Sequence, residues 1–185
     1  QRPSFFIISI LDKMDSKVIS INGCHDASVT FVDKNNQLRI FEYERFCKVR
    51  YGVYRCSYDG NILGTSKKVR DEFVDYIRMN IKEEPEILLC SELDENDIRY
   101  FRTKFRSIRS HYQMGHHMSH CAGAYYQSGF DEALVFSYDG GGLDYSDAVN
   151  LNMRSYTVCK AEGTHIEVID HNFSLGYAFN PGIYG

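Results

Sequence analysis

The chain has 185 residues, a length typical of one domain or slightly more. It is 43% hydrophobic and contains 14 Tyr and 12 Phe, so it has enough apolar side chains to form a core, which excludes intrinsic disorder. Its 21 Lys and Arg residues against 25 Asp and Glu give a net charge of −4, and no long basic stripe is present. A nucleic-acid partner is therefore disfavoured, and a small ligand is favoured.

The six cysteines include no CxxC pair, which argues against a zinc ribbon and against a thioredoxin-type redox motif. Free thiols fit a reducing compartment, so a cytoplasmic location is predicted. The longest apolar run near the start, residues 5–11, is too short to span a membrane. Because the sequence lacks an initiator Met and stops at Gly185 without a closing signal, we expect it to be a segment of a longer protein.

Hydrophobic patterning predicts an order of β-β-β-α-β-α-α in the first part of the chain. The predicted strands are 18–21, 27–32, 38–43 and 86–90. The predicted helices cover 66–81, about 94–105 and about 115–127. A polar cluster of hairpin length, Asp33–Gln37, joins the second and third strands, so the first three are expected to be antiparallel. Ser66 is the predicted N-cap of the first helix.

The strand pattern begins again after residue 130. The predicted strands are 133–138, 148–153, 156–161 and, as a fourth or an extension, 166–169. A glycine-rich turn follows the first of them, so a β-turn-β-β unit occurs twice and indicates an internal duplication. Two such lobes facing each other would form a nucleotide cleft. The predicted organisation is an extension at 1–16, a complete first lobe at 17–129 and a truncated second lobe at 130–185.

Three of the seven histidines lie within five positions, in the run Gly115–His120. Residues four apart on a helix lie one turn apart on the same side, so His116 and His120 can direct two imidazoles at one ion while His117 faces elsewhere. Asp139 ends a predicted strand and is a natural third ligand. A solvated, histidine-rich helix start is the alternative interpretation.

Three further stretches could contact a ligand. Gly140–Gly142 would let backbone N–H groups approach a phosphate, although an ordinary glycine-rich turn has the same composition. The loop Asn22–Ser28 places an imidazole, a carboxylate and a hydroxyl beside a glycine, as a ligand-binding turn would. The run Glu44–Arg50 contains three cations that could neutralise an anionic ligand or form a solvated edge.

Taken in this order, these motifs resemble the amino-terminal domain of the O-carbamoyltransferases, the family of nodulation-factor and antibiotic carbamoyltransferases. The resemblance covers roughly residues 17–180. The matching segments are Asn22–Ser28, Glu44–Arg50, His116–His120, Tyr138–Gly142 and Ser174–Tyr177. The chain departs from the family pattern at Arg50, where the family usually has Lys, and at Tyr43, where it usually has an acidic residue.

This resemblance implies an α/β fold of actin-like, sugar-kinase-like (ribonuclease H-like) lobes with a mixed sheet. It also implies a two-step reaction. A separate carboxy-terminal domain would make carbamoyl adenylate from carbamoyl phosphate and ATP, and the present domain would transfer the carbamoyl group to the hydroxyl of a small acceptor. The implied cofactors are carbamoyl adenylate (or ATP) and a divalent metal, for which iron is favoured and zinc or manganese would also suit the ligands.

The resemblance also suggests residue roles. The predicted metal ligands are His116, His120 and Asp139, with a further aspartate ligand expected beyond Gly185. Catalytic roles are predicted for His25, Asp26 and Arg50. Cofactor contacts are predicted for Asn22, Ser28, Gly140, Gly141 and Gly142. Two alternatives remain open: a relative that transfers threonylcarbamoyl to tRNA, and a non-catalytic nucleotide-binding scaffold of the same fold. No membrane partner is expected, and the acceptor and oligomeric state are left undetermined.

Overall fold

A computed structural model describes residues 16–23, 26–50, 52–54, 66–147 and 150–172. Within this described part the chain divides into two compact units, with the division between Gln113 and Met114. Each unit is built around one sheet.

The first unit contains a five-stranded mixed sheet in the order β3-β2-β1-β4-β5. Its strands are β1 (Val18–Asn22), β2 (Ser28–Val32), β3 (Leu38–Glu42), β4 (Ile87–Ser91) and β5 (Ser110–Gln113). Its helices are α1 (Tyr43–Cys47), α2 (Lys67–Asn80) and α3 (Glu95–Lys104). The first three strands are antiparallel, whereas β4 runs parallel to both β1 and β5. The predicted antiparallel order of the first three strands is confirmed.

The core of the first unit forms because β1 and β2 bury alternate side chains and the helices present apolar stripes. Phe73 of α2 lies at its centre, with ring centroids of Tyr43, Phe46 and Tyr54 within 6.0 Å. Burial raises the pKa of the Tyr43 hydroxyl well above its usual range. Aromatic pairs at these separations stabilise a core beyond their buried area.

The two longer helices of the first unit begin at side-chain caps. The Ser66 hydroxyl accepts a hydrogen bond from the Val69 N–H, so the predicted N-cap is confirmed. At the start of α3, Asp94 accepts from the N–H groups of Asn96 and Asp97, and the Asp97 carboxylate accepts from the Asp94 N–H. This reciprocal capping box fixes where α3 starts.

The second unit contains a three-stranded antiparallel sheet and one helix. The elements are α4 (His116–Ser128), β6 (Glu132–Asp147), β7 (Asn150–Glu162) and β8 (His165–His171), with the strands in the order β6-β7-β8. Cys121 and Tyr125 of α4 pack on one face of the sheet, against Val135, Cys159 and Ala161. The helix that carries the three neighbouring histidines therefore belongs to this unit, although the sequence placed it before a boundary at residue 129.

The glycine-rich segment after Tyr138 is part of a strand rather than a turn. The register passes from Tyr138 paired with Tyr156 directly to Gly142 paired with Arg154. Four steps along β6 therefore match two steps along β7, so β6 contains two extra residues at this point. A β-bulge of this kind bends a strand without ending it. The two strands predicted at 148–153 and 156–161 also correspond to one continuous strand, β7.

Two short elements were not predicted from sequence. Strand β5 is only four residues long, and its sequence, SHYQ, has no clear alternation of apolar and polar residues. Helix α1 directly continues β3, so its residues read as the end of a strand. Among the described residues, no helix combines the length and the apolar character needed to cross a membrane. Of the cysteines, Cys47, Cys90, Cys121 and Cys159 are described, and all four are thiols rather than parts of a disulfide.

A partly exposed ion cluster joins α2 to α3. The Asp71 carboxylate accepts hydrogen bonds from Lys67 Nζ at 2.6 Å and Lys104 Nζ at 2.9 Å, and also from the Tyr100 hydroxyl. The hydrogen bond from Lys67, followed by the one from Tyr100, holds the pKa of Asp71 well below its usual range. Burial and the Asp71 carboxylate together raise the pKa of the Tyr100 hydroxyl.

This cluster predicts a pH-dependent contribution to stability. The folded pKa of Asp71 is lowered, so its contribution is present above the unfolded pKa of about 4 and is lost as pH falls through the folded pKa. Asp71→Asn is expected to lower the free energy of unfolding by about 1 kcal/mol at pH 7, since solvent screens this partly exposed cluster, and by less at pH 3. Urea unfolding at both pH values measures this, with exposed Asp75→Asn as the control on the same helix. An Asp71→Asn effect that is equal at the two pH values would contradict the assignment.

Candidate metal centre

Helix α4 directs two imidazoles to one side. His116 is its first residue and His120 lies one turn later, and their ring centroids are 4.7 Å apart. The predicted convergence of these two residues is therefore present in the structure. The His116 side chain is 14% exposed and that of His120 is 56% exposed. The pair therefore lies at the surface, with solvent reaching it mainly from the side of His120.

Asp139 supplies a carboxylate to the same point. It lies within the bulge of β6, between the paired residues Tyr138 and Gly142. In a regular strand, side chains point alternately to the two faces of the sheet. Because Asp139 lies in the bulge, the direction of its side chain is not fixed by this alternation. Asp139 Oδ2 lies 2.7 Å from His116 Nε2 and 3.4 Å from His120 Nε2.

The three atoms form a small triangle whose third edge, between the two Nε2 atoms, is 3.1 Å. A ring nitrogen carries either one hydrogen or one lone pair, so His116 Nε2 cannot donate to Asp139 and also accept from His120. Hydrogen bonding therefore does not satisfy all three contacts at once. A cation that accepts lone pairs from both nitrogens and the carboxylate does satisfy them.

The triangle also fits a divalent metal in size. Metal–ligand bonds of about 2.0–2.2 Å place neighbouring ligand atoms about 2.8–3.1 Å apart in octahedral sites and about 3.3–3.6 Å apart in tetrahedral sites, close to the edges of 2.7, 3.1 and 3.4 Å in this triangle. Two imidazoles and one carboxylate with open positions form a set that binds divalent iron and also suits zinc and manganese. Among the residues that the structure describes, these three are the group of His, Cys, Asp or Glu able to hold an ion.

Gly142 is required sterically by the position of His116. A Cβ atom built on Gly142 would lie 2.1–2.5 Å from atoms of the His116 side chain, closer than non-bonded atoms can approach. Gly142 is buried and pairs with Arg154 of β7. The residue was predicted as a cofactor contact, and the structure places it beneath a candidate metal ligand. Gly140 and Gly141 belong to the bulge itself.

The other predicted site residues lie in the first unit. Asn22 ends β1 and is paired in register with Ser28 at the start of β2, so these two form the base of the loop. Asp26 is exposed, with a left-handed φ of 57°. Arg50 is exposed and follows α1. His25, predicted as catalytic, lies outside the described residues, as does the segment 174–177.

Sequence reasoning assigned no role to His117, which is fully buried. Its Nε2 lies 2.8 Å from the carbonyl oxygen of Arg154, and its Nδ1 lies 3.0 Å from Ser137 Oγ. The signal available in the sequence was the position of His117 between two candidate ligands. Its partners were not visible, because one is a backbone atom and the other depends on the register of β6.

Comparisons with known proteins relate the chain to others through its fold and not through its sequence. No family model matches the chain, and no curated protein matches it significantly. Among solved structures, the fold is similar to that of full-length HypF in its phosphate- and nucleotide-bound form, with a TM-score of 0.55 at 14% sequence identity. The similarity covers 83% of this chain and 18% of HypF, so the chain spans less than a fifth of that protein. At this identity the likeness concerns the fold alone.

The steric role of Gly142 gives a test of the centre. Gly142→Ala is expected to weaken binding of Co²⁺ or Zn²⁺ by about tenfold or more, because the His116 ring must move away from the new methyl group. Isothermal titration of the metal-free chain measures the affinity. The control is Gly123→Ala on α4, where the added Cβ meets nothing within 4 Å and the helix should be slightly stabilised. Unchanged metal affinity in Gly142→Ala would show that His116 is not a ligand.

Proposed function

We propose that this chain is a metal-dependent carbamoyl-transfer domain, in which His116, His120 and Asp139 hold a divalent cation, with iron as the favoured metal. The observation that carries the proposal is the convergence of these three side chains, since hydrogen bonding alone does not account for it. Two further points support it: the resemblance of the motifs to O-carbamoyltransferases, and a fold similar to that of HypF, whose structure contains phosphate and nucleotide.

In the proposed domain, both histidines bind through Nε2 in their neutral form and Asp139 binds as a carboxylate. The site then has one negative charge from protein ligands, and a divalent cation leaves it net positive. Such a cation would act as a Lewis acid toward the phosphate oxygens of an adenylate. His120 and Asp139 are 56% and 39% exposed, so the open side of the triangle is where an anionic substrate would enter.

The bulge of β6 is the proposed phosphate contact. Gly140 and Gly141 lie between the last pair before the bulge and the first pair after it. Backbone N–H groups that leave the ladder at glycines can approach a phosphate closely, since no side chain intervenes. We therefore propose that the N–H groups of Gly140 and Gly141 contact the phosphate of the adenylate. Gly142 instead leaves room for the His116 side chain.

The roles that the resemblance implies on the acceptor side of the reaction belong to the loop Asn22–Ser28 and to Arg50. In the proposed transfer, the acceptor hydroxyl oxygen bonds to the carbamoyl carbon, the bond from that carbon to the phosphate oxygen breaks, and AMP leaves with the electron pair. His25 would take the hydroxyl proton, and Asp26 would orient its imidazole. Asn22 and Ser28 would hold the loop at its base, where they are paired across β1 and β2. Arg50 would contact the phosphate or the carbonyl as a fixed positive charge.

The proposal predicts metal-dependent AMP release by the complete gene product. AMP should form only when ATP and carbamoyl phosphate are both supplied, and a combined His116→Ala and His120→Ala variant should reduce it to the background rate. Mass spectrometry of the nucleotides, with metal content measured in parallel, tests this. Absence of AMP from folded, metal-loaded protein, with and without a panel of hydroxyl acceptors, would contradict the carbamoyl-transfer assignment and leave the nucleotide-binding scaffold.

A second variant separates proton transfer from metal binding. His25→Ala is expected to lower carbamoyl transfer by about 100-fold or more, because general-base catalysis contributes effects of that size. Its metal content should equal that of the unsubstituted protein, in contrast to the His116 and His120 variant. Near-normal turnover by His25→Ala would refute the role of His25 without affecting the metal assignment.

A further inference from the structure

His117 lies between the two candidate ligands in sequence but points in another direction. Successive residues on a helix are rotated by about 100°, so His117 cannot share the side of α4 that His116 and His120 share. Its side chain is fully buried, whereas that of His120 is mostly exposed. A buried histidine that is not a ligand needs another reason for its position, because burying a polar ring without partners is costly.

Both nitrogens of His117 have partners on the sheet of the same unit. A carbonyl oxygen can only accept, so Nε2 carries the hydrogen and donates it to the backbone oxygen of Arg154 at 2.8 Å. In the neutral ring Nδ1 is then an acceptor, and the Ser137 hydroxyl donates to it at 3.0 Å. The two hydrogen bonds therefore set the tautomer and the ring orientation together.

The two partners flank the bulge that carries the candidate ligand. Ser137 is two residues before Asp139 on β6, and Arg154 is the register partner of Gly142 on β7. One bond of His117 thus lies immediately before the bulge, and the other lies opposite the first paired residue after it. The imidazole connects the first turn of α4 to both sides of the segment where Asp139 is placed.

The first turn of α4 needs such an anchor. Its N-cap is Gly115, which has no side chain to act as an acceptor, and no side-chain cap hydrogen bond is present. Uncapped helix starts fray. The apolar contacts of the helix begin with Met118, which lies after His116 but before His120. Fraying would displace His116 first, because it is the first helical residue.

We propose that His117 is a positioning residue that holds the first turn of α4 against β6 and β7, so that His116 and His120 meet Asp139 before any metal arrives. This inference rests on the proposed metal centre and deepens it. The hydrogen bonds of His117 remove the freedom that the two ligand side chains would otherwise lose on binding, and preorganisation of this kind raises affinity.

The experiment compares two single hydrogen-bond deletions at opposite ends of α4. Ser137→Ala removes the bond to His117 Nδ1, and Tyr125→Phe removes the bond from the Tyr125 hydroxyl to the Asp131 carbonyl at 2.7 Å. Each variant loses one hydrogen bond that a side chain of α4 makes, in one case to β6 and in the other to the residue just before β6, so both should lower thermal stability by similar amounts. Only Ser137→Ala should weaken Co²⁺ binding, by several-fold, and change the visible absorption of the bound Co²⁺.

Substitution of His117 itself extends the series. His117→Phe fills the space without either bond and should weaken Co²⁺ binding by about tenfold or more. His117→Gln keeps an N–H group able to donate to the Arg154 carbonyl and should recover part of the affinity. If His117→Phe fails to fold, the comparison of Ser137→Ala with Tyr125→Phe decides the question.

The outcomes separate this inference from the proposed function. Unchanged Co²⁺ affinity and spectrum in Ser137→Ala, or equal weakening in Ser137→Ala and Tyr125→Phe, would overturn the positioning role while leaving the metal centre intact. Failure of the unsubstituted chain to bind Co²⁺, or binding that persists in the combined His116→Ala and His120→Ala variant, would instead reject the metal centre itself and the inference with it.

Discussion

The close approach of the His116 ring to the backbone of β6 is the constraint on which the second unit depends. The ring occupies the space that a side chain at position 142 would fill, so only glycine is compatible there. The two extra residues between Tyr138 and Gly142 set the same geometry, since they bring Gly142 opposite Arg154 and leave Asp139 outside the ladder. A regular strand would put residue 140 opposite Arg154, and the alternation of side chains between the two faces of the sheet would then fix the direction of the Asp139 side chain. The bulge therefore places Gly142 where the His116 ring needs space, and it allows the Asp139 side chain to point toward the two histidines.

The polar groups around this point divide into two kinds. His117 has a fully consistent set of hydrogen bonds, in which each nitrogen has one partner of the right type. The cluster of His116, His120 and Asp139 has no such set, since one nitrogen faces two neighbours that make opposite demands on it. Histidines with a purely structural role usually have a consistent set of hydrogen bonds, as His117 does. A cluster without such a set is expected where a bound cation completes the arrangement. Both cases occur here on consecutive residues of one helix, His116 and His117.

Sequence alone predicted the parts of this arrangement that local periodicity determines. The i, i+4 spacing of His116 and His120 places them together on any helix, and Ser66 caps α2 because a hydroxyl before an amphipathic run satisfies free N–H groups. The bulge could not be predicted, because a run of three glycines is equally compatible with a turn. Nor could the contact between Gly142 and His116, which depends on the register of two strands. The placement of α4 with the second sheet likewise follows from packing of Cys121 and Tyr125, not from a composition change along the chain.

The site restricts the possible chemistry of this chain more than the fold does. A TM-score of 0.55 at 14% identity relates the backbone to that of HypF, but folds of this breadth support many chemistries. In contrast, three donor atoms of two imidazoles and a carboxylate within 3.4 Å of one another form a restrictive pattern. The first unit has its own stabilising features, a capping box at α3 and the Asp71 cluster between α2 and α3. Because such features recur in proteins without related activity, the identity of the reaction has to be established at the triangle of His116, His120 and Asp139, where the atoms able to hold a cation meet.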